Sequence, residues 1–235
     1  MTRDMTEGRP LKLILGFAVP LLFGNLFQQF YNLVDTIIVG KFLGVKSLAA
    51  VGSTGSINFL IIGFCMGICN GFAIPIAQSF GAKNEKTLRK YVANSTWLAL
   101  FFAVVMTIAT VLLCRPILRL MRTPEDIIGG AYTYIVIIFA GIPATILYNM
   151  VSGILRAMGD SKTPLYFLIL SAFLNILLDL LCIVVLHMGV SGAALATVVS
   201  QAVSGVSCLT YMRKKFDILH VRKDEWKLEA QYVKN

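Results

Sequence analysis

The 235-residue chain is too apolar for a soluble protein, because 57% of its residues are hydrophobic and only 14% are charged. Soluble domains are about 25% charged, and the mean hydropathy here is +0.77. The net charge of +9 would fit nucleic acid, but that function needs a basic face on a soluble module, and the sequence offers none. The composition therefore indicates an integral membrane protein and argues against a nucleic-acid partner.

Six apolar segments are long enough for a helix to cross the hydrocarbon layer of a bilayer, which takes about 20 residues. They lie at 12–40, 47–80, 90–114, 127–155, 163–187 and 191–212. The sequence therefore predicts an all-α polytopic membrane protein with three parts. These are a cytoplasmic N-terminus over 1–11, a six-helix transmembrane lobe over 12–212, and a basic cytoplasmic tail or linker over 213–235.

Polar side chains form one stripe along the first apolar segment. At about 100° per residue they cover roughly a third of the helix circumference, and apolar side chains cover the rest. The six residues are Asn25, Gln28, Gln29, Asn32, Asp35 and Thr36. An ionisable side chain at membrane depth marks an ion, proton or substrate path. We therefore expect a path at Asp35, with Asn25, Gln28, Gln29, Tyr31 and Asn32 lining a cavity beside it.

Asp179 is the second acid within the apolar segments, and the other ten of the twelve acids fall in loops or termini. Asn175 precedes it by four residues, so the amide and the carboxylate share a helix face. Hydrogen bonding to neighbouring helices for packing alone would not need a charge-bearing group at this depth. Apart from Lys12 and Lys90, the first residues of two segments, the six segments contain no Lys or Arg, so the sequence predicts that the two carboxylates carry protons or bind a cation.

Local signals predict several details of the helices. Three glycines at four-residue spacing form a smooth ridge that lets another helix approach closely, and prolines inside the segments are candidate bends. The glycines are Gly63, Gly67 and Gly71, and the prolines are Pro20, Pro75 and Pro143. Residues 123–126, Thr-Pro-Glu-Asp, predict a capped start for the fourth helix. The five cysteines show no metal-like clustering, so we expect no disulfide, metal site or cofactor.

Five motifs in this order and spacing resemble those of the multidrug and toxic compound extrusion (MATE) transporters, and the likeness spans all six segments. They are Pro20–Asn25, Tyr31–Gly40, Gly153–Asp160, the pair Asn175 and Asp179, and Gly192–Thr197. The resemblance implies cation-coupled export of amphipathic, often cationic drugs by two six-helix lobes that rock about a central cavity. It also implies a cation site in the amino-terminal lobe, at Asp35, Asn175, Asp179 and Thr197.

The resemblance covers one lobe only, since family members have twelve helices and this sequence ends just after the sixth segment. A fragment, a truncated gene product and a half-size transporter that pairs with another lobe would have this same sequence. The expected partners are drug-like small molecules, the lipid bilayer and a second six-helix lobe. The oxygen ligands suit either H⁺ or Na⁺ as coupling ion. Protons are favoured, because Na⁺ needs several oxygens placed together.

Three other functions are weaker alternatives. A flippase for lipid-linked precursors, of related architecture, should carry a more basic cavity, and the segments contain no Lys or Arg beyond their first residues. An intramembrane aspartyl protease also uses two membrane acids, but Val34 precedes Asp35 and Leu178 precedes Asp179, which departs from the Tyr-Asp and Gly-x-Gly-Asp patterns of that class. A structural scaffold or non-transporting fragment would be favoured if neutralising both acids left transport unchanged.

We predict that both termini face the cytoplasm, because 16 of the 21 Lys and Arg residues then lie on the cytoplasmic side. The expected membrane is the inner, or plasma, membrane. A reporter active only in the cytoplasm, fused after Lys90, should be active. An exported reporter fused at the same position should be inactive, and the opposite pair of results would contradict the six-helix topology.

Overall fold

The computed structural model describes residues 10–221, 223–226 and 229–233, and this part of the chain is helical with no strand. Seven long helices account for the six predicted segments, because the fourth segment is divided into α4 and α5. They are α1 (Pro10–Ser53), α2 (Gly55–Gly81), α3 (Glu85–Leu120), α4 (Ile128–Ala140), α5 (Ile142–Ala157), α6 (Lys162–Asp179) and α7 (Val190–Lys215). The predicted all-α, multi-pass architecture is confirmed.

The breaks in the helices coincide with glycines more often than with prolines. Gly44 has φ +82°, a conformation that favours glycine, and it divides α1 where the sequence had left a gap between two segments. α4 and α5 meet at Gly141 with a bend of 45°, and Pro143 lies in the first turn of α5. The bend expected at Pro143 is therefore present, whereas α1 and α2 remain helical through Pro20 and Pro75.

The predicted start of the fourth helix is wrong. α4 begins at Ile128, and its N-cap is Ile127, which makes no side-chain capping bond. The backbone N–H groups of Ile127 and Ile128 donate to the carbonyl of Pro124 at 3.1 and 3.0 Å. This turn supplies an acceptor for the first amides of the helix, so that Thr123 is not needed as a cap.

Close helix packing occurs at α7 and α5, and the glycine ridge of α2 is not used for it within the described lobe. A Cβ at Gly63, Gly67 or Gly71 would meet nothing within 4 Å. α2 instead packs through its opposite face, where Cys65, Cys69 and Ile76 are buried. The small residues that open α7 are buried as predicted: Gly192, Ala193, Ala194 and Ala196.

The described chain beyond α7 packs on the first turns of α3. The Arg89 Nε donates to both carboxylate oxygens of Glu225, at 3.0 and 2.9 Å, and Lys90 binds Glu229 at 2.7 Å. The backbone N–H of Glu229 also donates to Asn94 at 2.9 Å. At about 1.5 Å per residue α3 is longer than a bilayer core. α3 is therefore long enough to extend past the membrane, and its first turns hold this segment.

The turn between α5 and α6 depends on Gly159 and Asp160. Gly159 has φ +80°, and the buried Asp160 carboxylate follows it. One carboxylate oxygen accepts from the backbone N–H groups of Lys162 and Thr163 at 3.2 and 3.0 Å, and the other accepts from the Thr163 hydroxyl at 2.7 Å. Asp160 thus accepts hydrogen bonds from free N–H groups at the start of α6. Its negative charge also interacts favourably with the positive end of the α6 helix dipole.

We predict that Asp160→Ala destabilises the lobe by about 1–2 kcal/mol, because it removes these helix-start hydrogen bonds. The thermal midpoint of the purified chain in detergent should fall by about 2–8 °C. Asp126→Ala, at an exposed turn, is the matched control and should leave the midpoint within about a degree of wild type. Equal shifts for the two variants would contradict a capping role for Asp160.

Candidate functional site

The two acids predicted from the sequence meet inside the lobe. Asp35, on α1, has 9% of its surface exposed, and both Asn175 and Asp179, on α6, have none. Asp179 is the last α-helical residue of α6, and a π-helical turn, Leu180–Val185, follows it directly. Such π-helical turns are frequent at functional sites. The structure therefore brings together three of the four residues assigned to the cation site, from two helices.

Oxygen atoms at this site lack hydrogen-bond partners among the described residues. They are Asp35 Oδ1, Asn175 Oδ1 and both carboxylate oxygens of Asp179. The carboxyl groups of Asp35 and Asp179 approach closely enough for a proton bound to one to be shared with the other. Buried acceptors without donors are costly, whereas a proton or a hard cation would satisfy them. The arrangement is suited to cation uptake.

Thr197, the fourth predicted residue, joins the site through hydrogen bonds from α7. Its hydroxyl accepts from Tyr31 at 3.4 Å and from the Asn175 amide nitrogen at 3.3 Å, and it donates to the Ala193 carbonyl at 3.1 Å. Since the amide nitrogen of Asn175 is engaged by Thr197, its carbonyl oxygen remains available to the site. Thr197 therefore connects α1, α6 and α7.

Two tyrosines interact with the four residues predicted to bind the cation, although neither was assigned to that set. Tyr31 was predicted only as a cavity-lining residue, yet it binds Thr197. Tyr134, on α4, is 7% exposed and lies close enough to Asp35 and Asp179 to interact with them electrostatically. The only sequence signal for Tyr134 is a hydroxyl within an otherwise apolar run, which is too common to identify a site residue.

The polar stripe of α1 divides into an inner and an outer edge. Gln28 and Tyr31 are half-buried and line a cavity of about 30 Å³, room for about one water molecule, together with Asn149 and Gln201. The outer edge is exposed on the described lobe. Its members are Asn25, Gln29, Asn32 and Thr36. That Asn25, Gln29 and Asn32 line a cavity remains a prediction, because it depends on what faces α1.

Residues 20–181 match the MatE family model, which is more than half of the chain. The chain belongs to the MatE family. It is 39% identical over 205 residues to the probable multidrug resistance protein YoeA of Bacillus subtilis, covering 85% of this chain and 44% of that protein. To YpnP, another probable multidrug resistance protein of B. subtilis, it is 35% identical over 211 residues, covering 90% and 47%.

The same relationship holds at the level of structure. A solved transporter of the MOP superfamily from Pyrococcus furiosus superposes with a TM-score of 0.91 at 29% identity, over 98% of this chain and 51% of that one. This MatE chain therefore spans about half the length of the relatives it matches. MatE proteins are membrane transporters of the multidrug-efflux type and not enzymes.

We predict that Thr197→Val destabilises the lobe, because valine keeps the shape and removes the acceptor for Tyr31 and Asn175. Two hydrogen bonds contribute about 1–3 kcal/mol together, or roughly 2–12 °C in the thermal midpoint. The matched control is Thr210→Val on the same helix, whose exposed hydroxyl binds only the Val206 carbonyl, at 2.8 Å. Adding Tyr31→Phe to Thr197→Val should cost little more, since both remove the same bond.

This prediction is contradicted if Thr197→Val and Thr210→Val lower the midpoint equally. It is also contradicted if the effects of Tyr31→Phe and Thr197→Val are fully additive, because additive effects would mean that the two hydroxyl groups do not interact.

Proposed function

We propose that this chain is the amino-terminal lobe of a cation-coupled antiporter that exports amphipathic or cationic drugs and toxic compounds. Asp35, Asn175, Asp179 and Thr197 bind the coupling cation in this proposal. The observation that carries it is the set of buried oxygens that lack partners on Asp35, Asn175 and Asp179. The names of the Bacillus relatives support multidrug export as the activity of the complete transporter.

A second six-helix lobe is the proposed partner that completes the transporter. The chain spans about half of its relatives, and the outer surfaces of α1 and α2 are exposed. The smooth ridge of Gly63, Gly67 and Gly71 on α2 would let a helix of that lobe approach closely. The polar outer edge of α1 would then line the cavity between the lobes, and a drug would bind there.

Protons are the proposed coupling ions. Two facing carboxylates are sufficient to hold a proton, whereas Na⁺ needs several oxygens at defined distances. Proton entry would neutralise the buried pair and favour a rearranged α1, and this rearrangement would release drug to the outside. One proton entering down a potential of 100 mV supplies about 2.3 kcal/mol, which sustains roughly a fortyfold gradient of a transported compound.

The proposed location is the inner, or plasma, membrane, with both termini in the cytoplasm. The positive-inside rule supports it, since 16 of the 21 basic residues fall on the side of the two termini. The structure is compatible with a topology in which successive loops lie on alternate sides of the membrane. Residues near the start of α1, the end of α2, the start of α3 and the end of α5 line one cavity at the same end of the lobe.

We predict that Asp35→Asn and Asp179→Asn, made in a transporter that contains both lobes, each reduce drug efflux to background. Asparagine keeps the shape of the side chain but does not titrate, so coupling is lost while membrane insertion and expression remain normal. The measurement is efflux of a fluorescent cationic drug from cells or inverted vesicles. Asp217→Asn is the control, because Asp217 is exposed beyond α7 and its variant should export at the wild-type rate.

The same vesicles test the ion. Efflux should stop when a protonophore removes the proton gradient and should continue without Na⁺. Export that requires Na⁺ and is unaffected by the protonophore would overturn proton coupling, but it would remain consistent with the proposed cation site. Wild-type export by both asparagine variants would show that the carboxylates are structural, and the proposed mechanism would then be wrong.

A further inference from the structure

A large cavity lies at the end of the lobe where α1 begins and α2 and α5 end, away from the proposed cation site. It has a volume of about 620 Å³, within the range of ligand-binding pockets. Its walls come from α1, α2, α3, α5 and the segment after α7. They are mainly apolar, and include Phe17, Ala77, Phe80, Leu88, Ala157 and Ile218.

Arg156 is a charged group in this cavity without an acidic partner. It lies in the last turn of α5, is half-buried, and donates one long hydrogen bond of 3.4 Å to the Asn70 side chain. Within residues 10–221, 223–226 and 229–233, no carboxylate forms a salt bridge with it. A guanidinium has five N–H donors, so most of its hydrogen-bonding capacity is unused. A half-buried cation in this position favours an anionic ligand.

Two described acids at this end of the lobe are engaged elsewhere. Asp160 uses both of its carboxylate oxygens at the start of α6. Glu85, which lines the cavity, has an exposed side chain and lies 3.6 Å from Arg89. In the part of the chain that the structure describes, the charged residues lining the cavity are Lys83, Glu85 and Arg156. Among the described residues Arg156 has no carboxylate partner, so its charge is available to a ligand in the cavity.

We propose that this cavity binds an anionic phospholipid, with the phosphodiester group on Arg156 and the glycerol and upper acyl chains against the apolar wall. The guanidinium matches two phosphate oxygens in a bidentate geometry. The apolar wall distinguishes a lipid from inorganic phosphate, which would leave this surface exposed to water. Basic pockets between transmembrane helices on the cytoplasmic side are suited to anionic headgroups, and the basic residues of this chain concentrate at this end.

Binding would connect the lipid to the architecture of the lobe. The cavity wall includes Ile218, in the segment that also carries Glu225 and Glu229 onto α3. A lipid in the cavity would therefore touch α1, α5 and this segment at once. Because it binds the folded lobe and has no site in the unfolded chain, it should stabilise the lobe by mass action.

The test uses the 235-residue chain, purified in a neutral detergent and freed of lipid. Phosphatidylglycerol should raise the thermal midpoint by about 5 °C at saturation, whereas phosphatidylcholine should leave it unchanged. Native mass spectrometry should show one retained phosphatidylglycerol. Arg156→Gln should weaken phosphatidylglycerol binding about tenfold or more, the effect of losing a charge-assisted contact.

Three further variants keep the test valid if Arg156→Gln does not fold. Ala77→Leu fills the cavity at an exposed position and retains Arg156, so it should also abolish the phosphatidylglycerol shift. Arg115→Gln removes an exposed arginine near the other end of α3 and should keep the full shift. Arg156→Lys should give an intermediate shift, since it keeps the charge and loses the bidentate geometry.

Three outcomes would overturn the proposal. The first is an equal shift with phosphatidylcholine, which would show that the charge is not recognised. The second is an equal shift with inorganic phosphate at matched ionic strength, which would assign the site to a free anion. The third is phosphatidylglycerol binding that is unchanged in both Arg156→Gln and Ala77→Leu. None of these outcomes bears on Asp35 or Asp179, so this inference and the proposed function fail independently.

Discussion

The burial of two carboxyl groups without a cationic neighbour is the constraint on which the lobe depends. Asp35 and Asp179 come from helices distant in sequence, and Asp35 Oδ1 and both carboxylate oxygens of Asp179 are buried without hydrogen-bond partners among the described residues. The free-energy cost of burying such groups in a membrane interior is high unless a bound proton or cation neutralises their charge. The packing of α1 against α6 holds the two together, so that the folded lobe retains a site with affinity for positive charge.

α7 makes this arrangement possible. Its first turns consist of small buried residues, and at Gly192 a Cβ would come within 3.0 Å of the Cys182 Cβ. The helices carrying the site can therefore approach α7 closely, and Thr197 then reaches both Tyr31 and Asn175. Close packing and polar contact act together here. The small residues bring the backbones near each other, and the hydroxyl fixes the orientation of the side chains.

The other end of the lobe is organised by charge that pairs across long separations in sequence. Glu225 is 3% exposed and accepts from Arg89, which fixes the segment after α7 on α3. Arg156, by contrast, is half-buried, and among the described residues it bonds to the Asn70 side chain and to no carboxylate. The Arg89–Glu225 ion pair is thus complete within the lobe, which indicates a structural role. The guanidinium of Arg156 lacks such a partner among the described residues, and this contrast is the basis of the proposed lipid site.

The sequence by itself determined the membrane class, the six segments and the two acids, because apolar length and the cost of a charge in lipid are local properties. It also located the small residues of α7. Only the tertiary structure decided that Tyr134 lies within electrostatic range of the acids, that the glycine ridge of α2 is left open, and that Glu225 pairs with Arg89. These facts depend on which helix faces which, and helical periodicity defines a face without naming its neighbour.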